Sequence, residues 1–227
     1  MVELLLIRHA ETDYNRQLRV QGHVDVPLNA IGRAQAARLA ARLADEPIDL
    51  LVSSDLQRAR QTAEPLAAQR GLALATDPAW REQAFGVLEG LDGPALRLGY
   101  PEQWQAWLRH DPDGAPPGGE SRRRFFDRVW QALHALAAAH AGARVAVVTH
   151  GGVLDMVWRG VHAQPLAAPR SVAIPNTGLN RLQALPCGDG HAAGADAPGF
   201  VVLQWADAAH LAGMAEAPVH YPTAAPA

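Results

Sequence analysis

The stretch VELLLIRHAET (residues 2–12) decides the fold class, because an apolar run ends abruptly in charged and hydroxyl side chains. The unbroken apolar run Leu4–Ile7 is typical of a strand that is buried on both faces of a parallel sheet. Largely apolar runs of similar length recur at 48–52 and 143–148. The sequence therefore predicts at least three buried strands, widely spaced along the chain.

Helical patterns separate these predicted strands. Apolar residues recur at spacings of three and four after Gly32, after Ser54, over 120–140 and directly after Gly152. Ser54 and Gln57 have the spacing of a capping box, which predicts that the second of these helices begins at Ser54. Strands that alternate with helices predict an α/β fold, a three-layer α/β/α sandwich around a mainly parallel sheet.

The remaining segments define the predicted domain organisation. Two strand-like segments, 178–185 and 200–205, are expected to pair as a hairpin at one edge of the sheet. The region 80–119 is rich in Pro and Gly, and we expect an insertion that forms a lid or a binding loop. Residues 1–215 are predicted to form a single catalytic domain, followed by a flexible Ala- and Pro-rich tail, 216–227.

Composition excludes several classes of function. The formal net charge is -3 and the sequence pI is about 6.3, so nothing favours binding to nucleic acid or to an anionic membrane. All 20 basic residues are Arg, and the absence of Lys excludes Schiff-base and P-loop lysine chemistry. The one cysteine, Cys187, has no partner for a disulfide or a zinc site. The first apolar run is too short for a signal peptide and no stretch reaches transmembrane length, so we expect a cytoplasmic protein.

Each of the three predicted strands is followed by a polar cluster: RHAET at 8–12, SSDLQR at 53–58 and THGG at 149–152. In an open parallel sheet the carboxyl ends of the strands share one edge, and ligands bind in the crevice there. If the three strands are neighbours, Arg8, His9, Arg58 and His150 converge at that edge. Their convergence is the central structural prediction of the sequence.

Such a pocket would suit a tetrahedral dianion. Guanidinium groups match phosphate oxygens, and helix N-termini add backbone N–H donors. Gly151 and Gly152 would let the backbone approach an anion closely. A neutral imidazole can attack phosphorus, while the arginines neutralise charge that develops on the phosphoryl oxygens. The leaving group also needs a general acid, which must come from another segment.

The order of these motifs resembles the histidine phosphatase superfamily, which includes the cofactor-dependent phosphoglycerate mutases. RHAET is similar to the first signature of that family, with Ala10 where Gly is more usual. WREQAFGVLEG at 80–90 resembles the segment that bears the acid, and VTHGG at 148–152 resembles the second histidine motif. The resemblance runs in order from about residue 3 to about residue 185.

The resemblance implies a phosphoglycerate mutase-like fold and a set of roles. His9 would carry the phosphoryl group, and Glu82 would donate the proton and later activate water. The implied catalytic residues are His9, Glu82, Arg8, Arg58 and His150, and the implied substrate- or phosphate-binding residues are Asn15, Gln21, Gly22 and Gly151. The family needs no metal and no organic cofactor. The expected partner is a small phosphorylated metabolite, bound by a monomer or a homodimer.

Two kinds of phosphoryl transfer remain open, since water or a second hydroxyl could take the group from His9. Mutases of the family use a lysine that this chain lacks, and PPGGES at 116–121 resembles the phosphatase branch. We therefore expect hydrolysis of a small phosphomonoester, with phosphoglycerate mutase-type transfer as the alternative. A non-catalytic member that binds phosphorylated ligands or proteins would have lost a catalytic group, and none is lost. A doubly wound nucleotide-binding module would need a Gly-rich loop at 8–12, which has no glycine.

Several residues have two interpretations. Glu11 and Glu89 are alternative carboxylates for the acid role. Trp104 and Trp107 could cover a hydrophobic leaving group or pack the insertion onto the core. The arginine run 122–124 is typical of a solvated helix start, but it could also meet a second anionic group of the substrate. The other histidines show no spacing of metal ligands, and no metal site is expected.

Overall fold

The structure is a computed structural model that describes residues 1–185 and 199–214. The chain forms, in order, β1 (Glu3–Arg8), α1 (Asp13–Arg16), α2 (Ala30–Arg42), β2 (Leu50–Ser53), α3 (Gln57–Arg70), β3 (Leu74–Thr76), α4 (Gly93–Gly99), α5 (Pro101–Leu108), α6 (Arg122–Ala139), β4 (Arg144–Thr149), α7 (Gly151–Val161), β5 (Leu179–Ala184) and β6 (Phe200–Asp207). Short 3-10 helices occur at Pro78–Trp80, Gly86–Leu88 and Ala209–Leu211. The predicted tail, 216–227, and Cys187 lie outside the described residues.

The strands form one six-stranded sheet in the order β3-β2-β4-β1-β5-β6. The four strands from β3 to β1 are parallel, whereas β5 runs antiparallel to both β1 and β6. The predicted α/β fold is confirmed, and so is the hairpin at one edge. The edge strand β3 was not predicted, because its three residues are too few to show a pattern.

Helices cover both faces of the sheet, as the alternation of buried side chains along β1 requires. Leu4 and Leu6 point into a core formed with α6 and α7. Leu5 and Ile7 point into the opposite core, which is formed with α2 and α3. Each fully buried aliphatic side chain contributes about 1.5–3 kcal/mol, so the two cores hold the central strands firmly. The three-layer sandwich therefore presents only strand ends to a ligand.

Helix α3 does not begin where the sequence predicted. Its N-cap is Leu56, whose side chain makes no capping bond. The predicted capping box at Ser54 is wrong, because the Ser54 Oγ lies 2.8 Å from Nε2 of His150 instead. Arg58 nevertheless lies in the first turn of the helix, as predicted.

The insertion is more regular than its composition indicated. Two short helices, α4 and α5, pack on each other within it. Trp107 stacks on Phe85 with ring centroids 5.4 Å apart, and Trp104 contacts Trp107. The aromatic contacts thus link α5 to the segment that follows Glu82. In the described part of the chain, no helix is long and apolar enough to cross a membrane.

Candidate active site

Three strand ends meet at one edge of the sheet. Strand β4 lies between β1 and β2, so the residues that follow these strands are neighbours. The His9 N–H donates to the Thr149 carbonyl (2.7 Å), and the Ser54 N–H donates to the Val148 carbonyl (2.9 Å). These bonds extend the sheet ladder into the loops and hold the loop backbones side by side. The predicted convergence of the polar clusters is confirmed.

Two buried histidines face each other at this edge. The rings of His9 and His150 have centroids 5.2 Å apart. The His9 Nδ1 lies 2.7 Å from the Ala10 carbonyl oxygen, which can only accept a hydrogen bond. Nδ1 therefore carries the proton in the neutral ring, and Nε2 keeps its lone pair. His9 is held in the tautomer that a nucleophile requires.

Burial and nearby arginines keep both imidazoles neutral. The pKa of His9 lies well below 6.5 because of burial first, and then because of Arg58 and Arg8. Burial, Arg58 and His9 lower the pKa of His150 in the same way. Burial also lowers the pKa of Arg58, to about 10, so this guanidinium stays charged at neutral pH. The positive charge of the pocket thus comes from arginines, which suits an anion.

A loop before α2 orients the Arg58 guanidinium. Its Nη2 donates to the Gly22 carbonyl (2.7 Å) and its Nη1 to the Val24 carbonyl (2.9 Å). Gly22 has a φ of 49°, a conformation that favours glycine. Arg8 is anchored separately, since its Nη1 donates to the Ile174 carbonyl (2.7 Å). Both arginines are buried, and backbone carbonyls hold each of them beside the histidines.

The Glu82 carboxylate lies against the first turn of α7. Its Oε2 accepts a hydrogen bond from the Gly152 N–H (2.9 Å), and its Oε1 accepts one from the Gln83 N–H (3.0 Å). The close approach requires glycine, because a Cβ on Gly152 would lie 2.0 Å from Oε1 of Glu82. The Thr149 Oγ1 donates to the Trp80 carbonyl (2.7 Å) and ties the acid-bearing segment to the end of β4.

The two alternative carboxylates are engaged elsewhere. Glu11 is fully buried and pairs with Arg16 and with the Asn29 side chain. Glu89 accepts two backbone N–H groups at 2.9 Å and so connects the loop before α2 with the insertion. Of these three carboxylates, Glu82 is the one that borders the first turn of α7.

Two of the predicted phosphate-binding residues, Gly22 and Gly151, adjoin residues of the site, and the roles of all four stay predictions. Thr12 is the N-cap of α1, where it forms a capping box with Asn15. Its Oγ1 also donates to Oε1 of Gln21 (2.9 Å). Gly151 is buried and is the first residue of α7. Gly22 lies on the loop before α2, where its carbonyl accepts a hydrogen bond from Arg58. The capping box of α1 was not predicted from the sequence, although its two members have the usual spacing of three residues.

The arginine run 122–124 divides into three environments. Arg122 is partly buried and donates to the Leu166 carbonyl (2.6 Å). Arg123 forms an exposed ion pair with Asp113 (2.6 Å), and Arg124 is exposed. The run is therefore only partly a solvated helix start. Within residues 1–185 and 199–214, no group of three or more His, Cys, Asp or Glu side chains could hold a metal ion.

Sequence reasoning missed three side chains around the Glu82 backbone. His23, Glu120 and Arg128 all bond to residues 79–84. His23 lies next to Gly22 in a segment that the resemblance covered, but no pattern marked its ring. Glu120 lies just before the amphipathic helix α6 and Arg128 lies on it, where charged residues usually face solvent.

The fold and the site define an α/β protein with two buried imidazoles and two buried guanidiniums at the carboxyl edge of its sheet. The chain belongs to the histidine phosphatase superfamily (branch 1), whose family model matches residues 4–190. The family resemblance inferred from the motifs is therefore confirmed.

Comparison with known proteins finds both mutase-like and phosphatase relatives. The phosphoglycerate mutase-like protein 4 of Arabidopsis thaliana is 36% identical over 212 residues, which are 92% of this chain and 86% of that protein. A mycobacterial glucosyl-3-phosphoglycerate phosphatase, solved with VO3, has a TM-score of 0.75 and 30% identity, over 90% of this chain and 98% of its own. The phosphoserine phosphatase of Entamoeba histolytica, solved with 3-phosphoglyceric acid, has a TM-score of 0.77 and 25% identity, over 93% of this chain and 100% of its own.

Proposed function

We propose that this protein is a metal-independent phosphatase that hydrolyses a small phosphomonoester through a phosphohistidine on His9. The observation that carries the proposal is the hydrogen bond from Nδ1 of His9 to the Ala10 carbonyl. It leaves the lone pair on Nε2, at a site where burial, and then Arg58 and Arg8, lower the pKa of His9 and keep the ring neutral. A neutral imidazole beside two fixed guanidiniums is equipped to attack a phosphoryl group.

The first half-reaction transfers the phosphoryl group to His9. Nε2 forms a bond to phosphorus as the bond to the leaving oxygen breaks, and protonated Glu82 gives its proton to that oxygen. Arg8, Arg58 and His150 bind the phosphoryl oxygens throughout. In the second half-reaction the Glu82 carboxylate takes a proton from water. The water oxygen attacks phosphorus, the P–N bond breaks, and inorganic phosphate leaves with His9 and Glu82 restored.

The choice of hydrolysis rests on two observations. Two of the similar solved structures are named as phosphatases, and their substrates, glucosyl-3-phosphoglycerate and phosphoserine, are small phosphomonoesters. The chain also contains no lysine, the residue that mutases of the family use near the substrate. We infer a substrate of the same class, a small metabolite that carries one phosphomonoester group.

Phosphoglycerate mutase-type transfer is a second candidate, favoured by the name of the Arabidopsis relative. It would use the same phosphohistidine, and only the acceptor would differ. A panel of phosphometabolites assayed for phosphate release, with 3-phosphoglycerate isomerisation measured in parallel, separates the two. Isomerisation that outpaces phosphate release would decide for the mutase.

Trapping of the intermediate tests the proposal directly. The native protein, quenched in alkali during turnover of a ³²P-labelled substrate, should carry label that acid removes, because phosphohistidine is acid-labile. The variant His9→Ala should carry none and should release no phosphate. His140→Ala is the matched control, since His140 lies at the end of α6, and it should label like the native protein. Label that survives acid, or label on His9→Ala, would contradict the proposal.

A further inference from the structure

The backbone that carries Glu82 is held from behind by one side chain of α6. Arg128 Nη1 donates to the carbonyls of Ala79 (2.8 Å) and Arg81 (3.0 Å). Its Nη2 donates to the carbonyl of Glu82 itself (3.2 Å). One guanidinium thus binds three carbonyls within four consecutive residues. Hydrogen bonds from a charged donor are stronger than those between neutral groups, so the grip on this segment is firm.

Glu120, just before α6, completes the arrangement. Its two carboxylate oxygens accept from Arg128 Nε (2.9 Å) and Nη2 (2.8 Å), which orients the guanidinium plane. Its Oε2 also accepts from the Ala84 N–H (3.0 Å), and its carbonyl accepts from the Gln83 side chain (2.9 Å). Both charged side chains are about three-quarters buried. The pair therefore spans residues 79–84 from both sides of Glu82.

The two sides of the segment perform different tasks. The Glu82 carboxylate points to the Gly152 N–H, whereas its carbonyl points to Arg128 and to the His23 ring (2.9 Å). The neighbouring Arg81 side chain leaves the site and forms an ion pair with Asp55. Since loops of this length are mobile unless their backbone groups are bonded, fixing the carbonyl side determines where the carboxyl group stands.

We propose that Arg128 and Glu120 are positioning residues, which fix the Glu82 carboxyl group at the distance from the leaving oxygen that proton transfer requires. The inference rests on the proposed function, because it assigns a purpose to the acid role of Glu82. Proton transfer depends steeply on geometry, and positioned general acids contribute roughly 10²–10⁴-fold to rate. Within the described residues, the side-chain hydrogen bonds of Arg128 go to Glu120 and to residues 79–82, and none reaches the His9 loop. The pair therefore acts on leaving-group protonation and leaves the nucleophile unaffected.

The first test compares leaving groups in the variant Arg128→Gln. We expect kcat for an alkyl phosphate such as glycerol phosphate to fall about tenfold or more, because the alkoxide needs protonation. For p-nitrophenyl phosphate, whose leaving group needs little protonation, we expect a much smaller loss and an unchanged KM. Arg124→Gln is the matched control on the exposed side of α6 and should behave like the native protein on both substrates. Equal losses on both substrates for Arg128→Gln would overturn the inference.

The second test asks whether Arg128 acts through Glu82. If it does, the double variant Glu82→Gln/Arg128→Gln should be no slower on the alkyl phosphate than Glu82→Gln alone, because the acid is already absent. A merely structural role would add its loss to that of Glu82→Gln. Additive losses would therefore overturn the inference, even where the single variant behaves as expected.

Glu120→Gln provides an independent variant should Arg128→Gln fold poorly. It keeps the size of the side chain but weakens the orientation of the guanidinium, and it should show the same leaving-group selectivity to a smaller degree. The proposed function is tested separately by acid-labile label on the native protein. Label with no selective loss in either variant would overturn the inference alone, whereas absence of label in the native protein would overturn both.

Discussion

The two ends of the site are built in different ways. At the end that we propose binds the phosphoryl group, the phosphoryl end, His9, His150 and Arg58 are buried at the ends of central strands or at the start of a helix. At the end that we propose supplies the proton, the acid end, Glu82 lies on an irregular segment that is held by Arg128 of α6 and by Glu120 just before it. The first end is as rigid as the core beneath it, and the second depends on a few polar bonds. Perturbation should therefore separate chemistry at phosphorus from protonation of the leaving group.

Among the substitutions that compare the two ends, Arg58→Gln at the phosphoryl end is expected to have the largest effect. Loss of the buried guanidinium removes charge stabilisation in the transition state, and kcat/KM should fall on the order of 10³-fold for all substrates alike. Arg60→Gln, on the same helix, is the control. A loss that is confined to poor leaving groups would contradict the assignment of Arg58 to the phosphoryl end.

Glu82→Gln tests protonation of the leaving group at the acid end. We expect a loss of about 10²-fold or more on alkyl phosphates and a clearly smaller one on p-nitrophenyl phosphate, because only the former needs the proton. Steady-state kinetics on both substrates measure the ratio. If the two losses were equal, another group would be the acid, and the contrast between the two ends would fail.

Substitution of two glycines by alanine also distinguishes the two ends, because the added methyl group would meet a side chain at Gly152 and the backbone at Gly32. Gly152→Ala would place Cβ 2.0 Å from the Glu82 carboxylate, the end of a flexible side chain, and 3.1 Å from the Phe125 ring, so we expect a smaller loss of stability than for Gly32→Ala. Alkyl phosphate hydrolysis should nevertheless fall about tenfold, as the carboxyl group is displaced.

Gly32→Ala would place Cβ 2.0 Å from the backbone oxygen of Glu11, beside the His9 loop. That backbone cannot yield easily, and the free energy of unfolding should fall by about 1–3 kcal/mol.

The smallest expected effect is on the pH dependence of stability, because groups at the two ends of the site should change the free energy of unfolding over different pH ranges. The folded pKa values of His9 and His150 lie below 6.5, so the unfolded state binds more protons and stability decreases as pH falls below 6.5. His150→Gln should remove up to about 1.4 kcal/mol per pH unit of that slope. The pKa of Glu120 is also lowered: burial raises it, but bonds from Arg128 and the Ala84 N–H outweigh burial. The stabilisation by the Glu120 carboxylate is therefore present above pH 4.5 and is lost as pH falls below it. Glu120→Gln should remove this stabilisation, and it should change the pH dependence of the free energy of unfolding only below pH 4.5.

Chemical unfolding at a series of pH values checks both windows. His134→Gln is unsuitable as a control, because burial lowers the pKa of His134 as well. His140→Gln serves instead, at the end of α6. If the slope between pH 5 and 6.5 were as steep in His150→Gln as in the native protein, His150 would not be buried as a neutral imidazole.

The phosphoryl end could be predicted from the sequence, whereas the acid end could be predicted only in part. Apolar runs that end in polar clusters locate strand ends, and parallel pairing then brings His9 and His150 together. Glu82 was identified only through resemblance. Arg128 could not be predicted, because it bonds backbone carbonyls 46 to 49 residues away, which carry no side-chain signature. Ser54 was misassigned because its spacing to Gln57 fits a cap, while its hydroxyl bonds a histidine 96 residues later.

The pairing of β1 has a consequence for synthesis of the chain. This first strand has β4 on one side and β5 on the other, so its partners are residues 144–149 and 179–183. A nascent chain must therefore extend past β5 before the strand that precedes His9 acquires both neighbours. Contacts of such long sequence separation form slowly, and we expect refolding to be governed by the capture of this N-terminal strand. Fragments that stop before β5 should bind no oxyanion, however well their helices form.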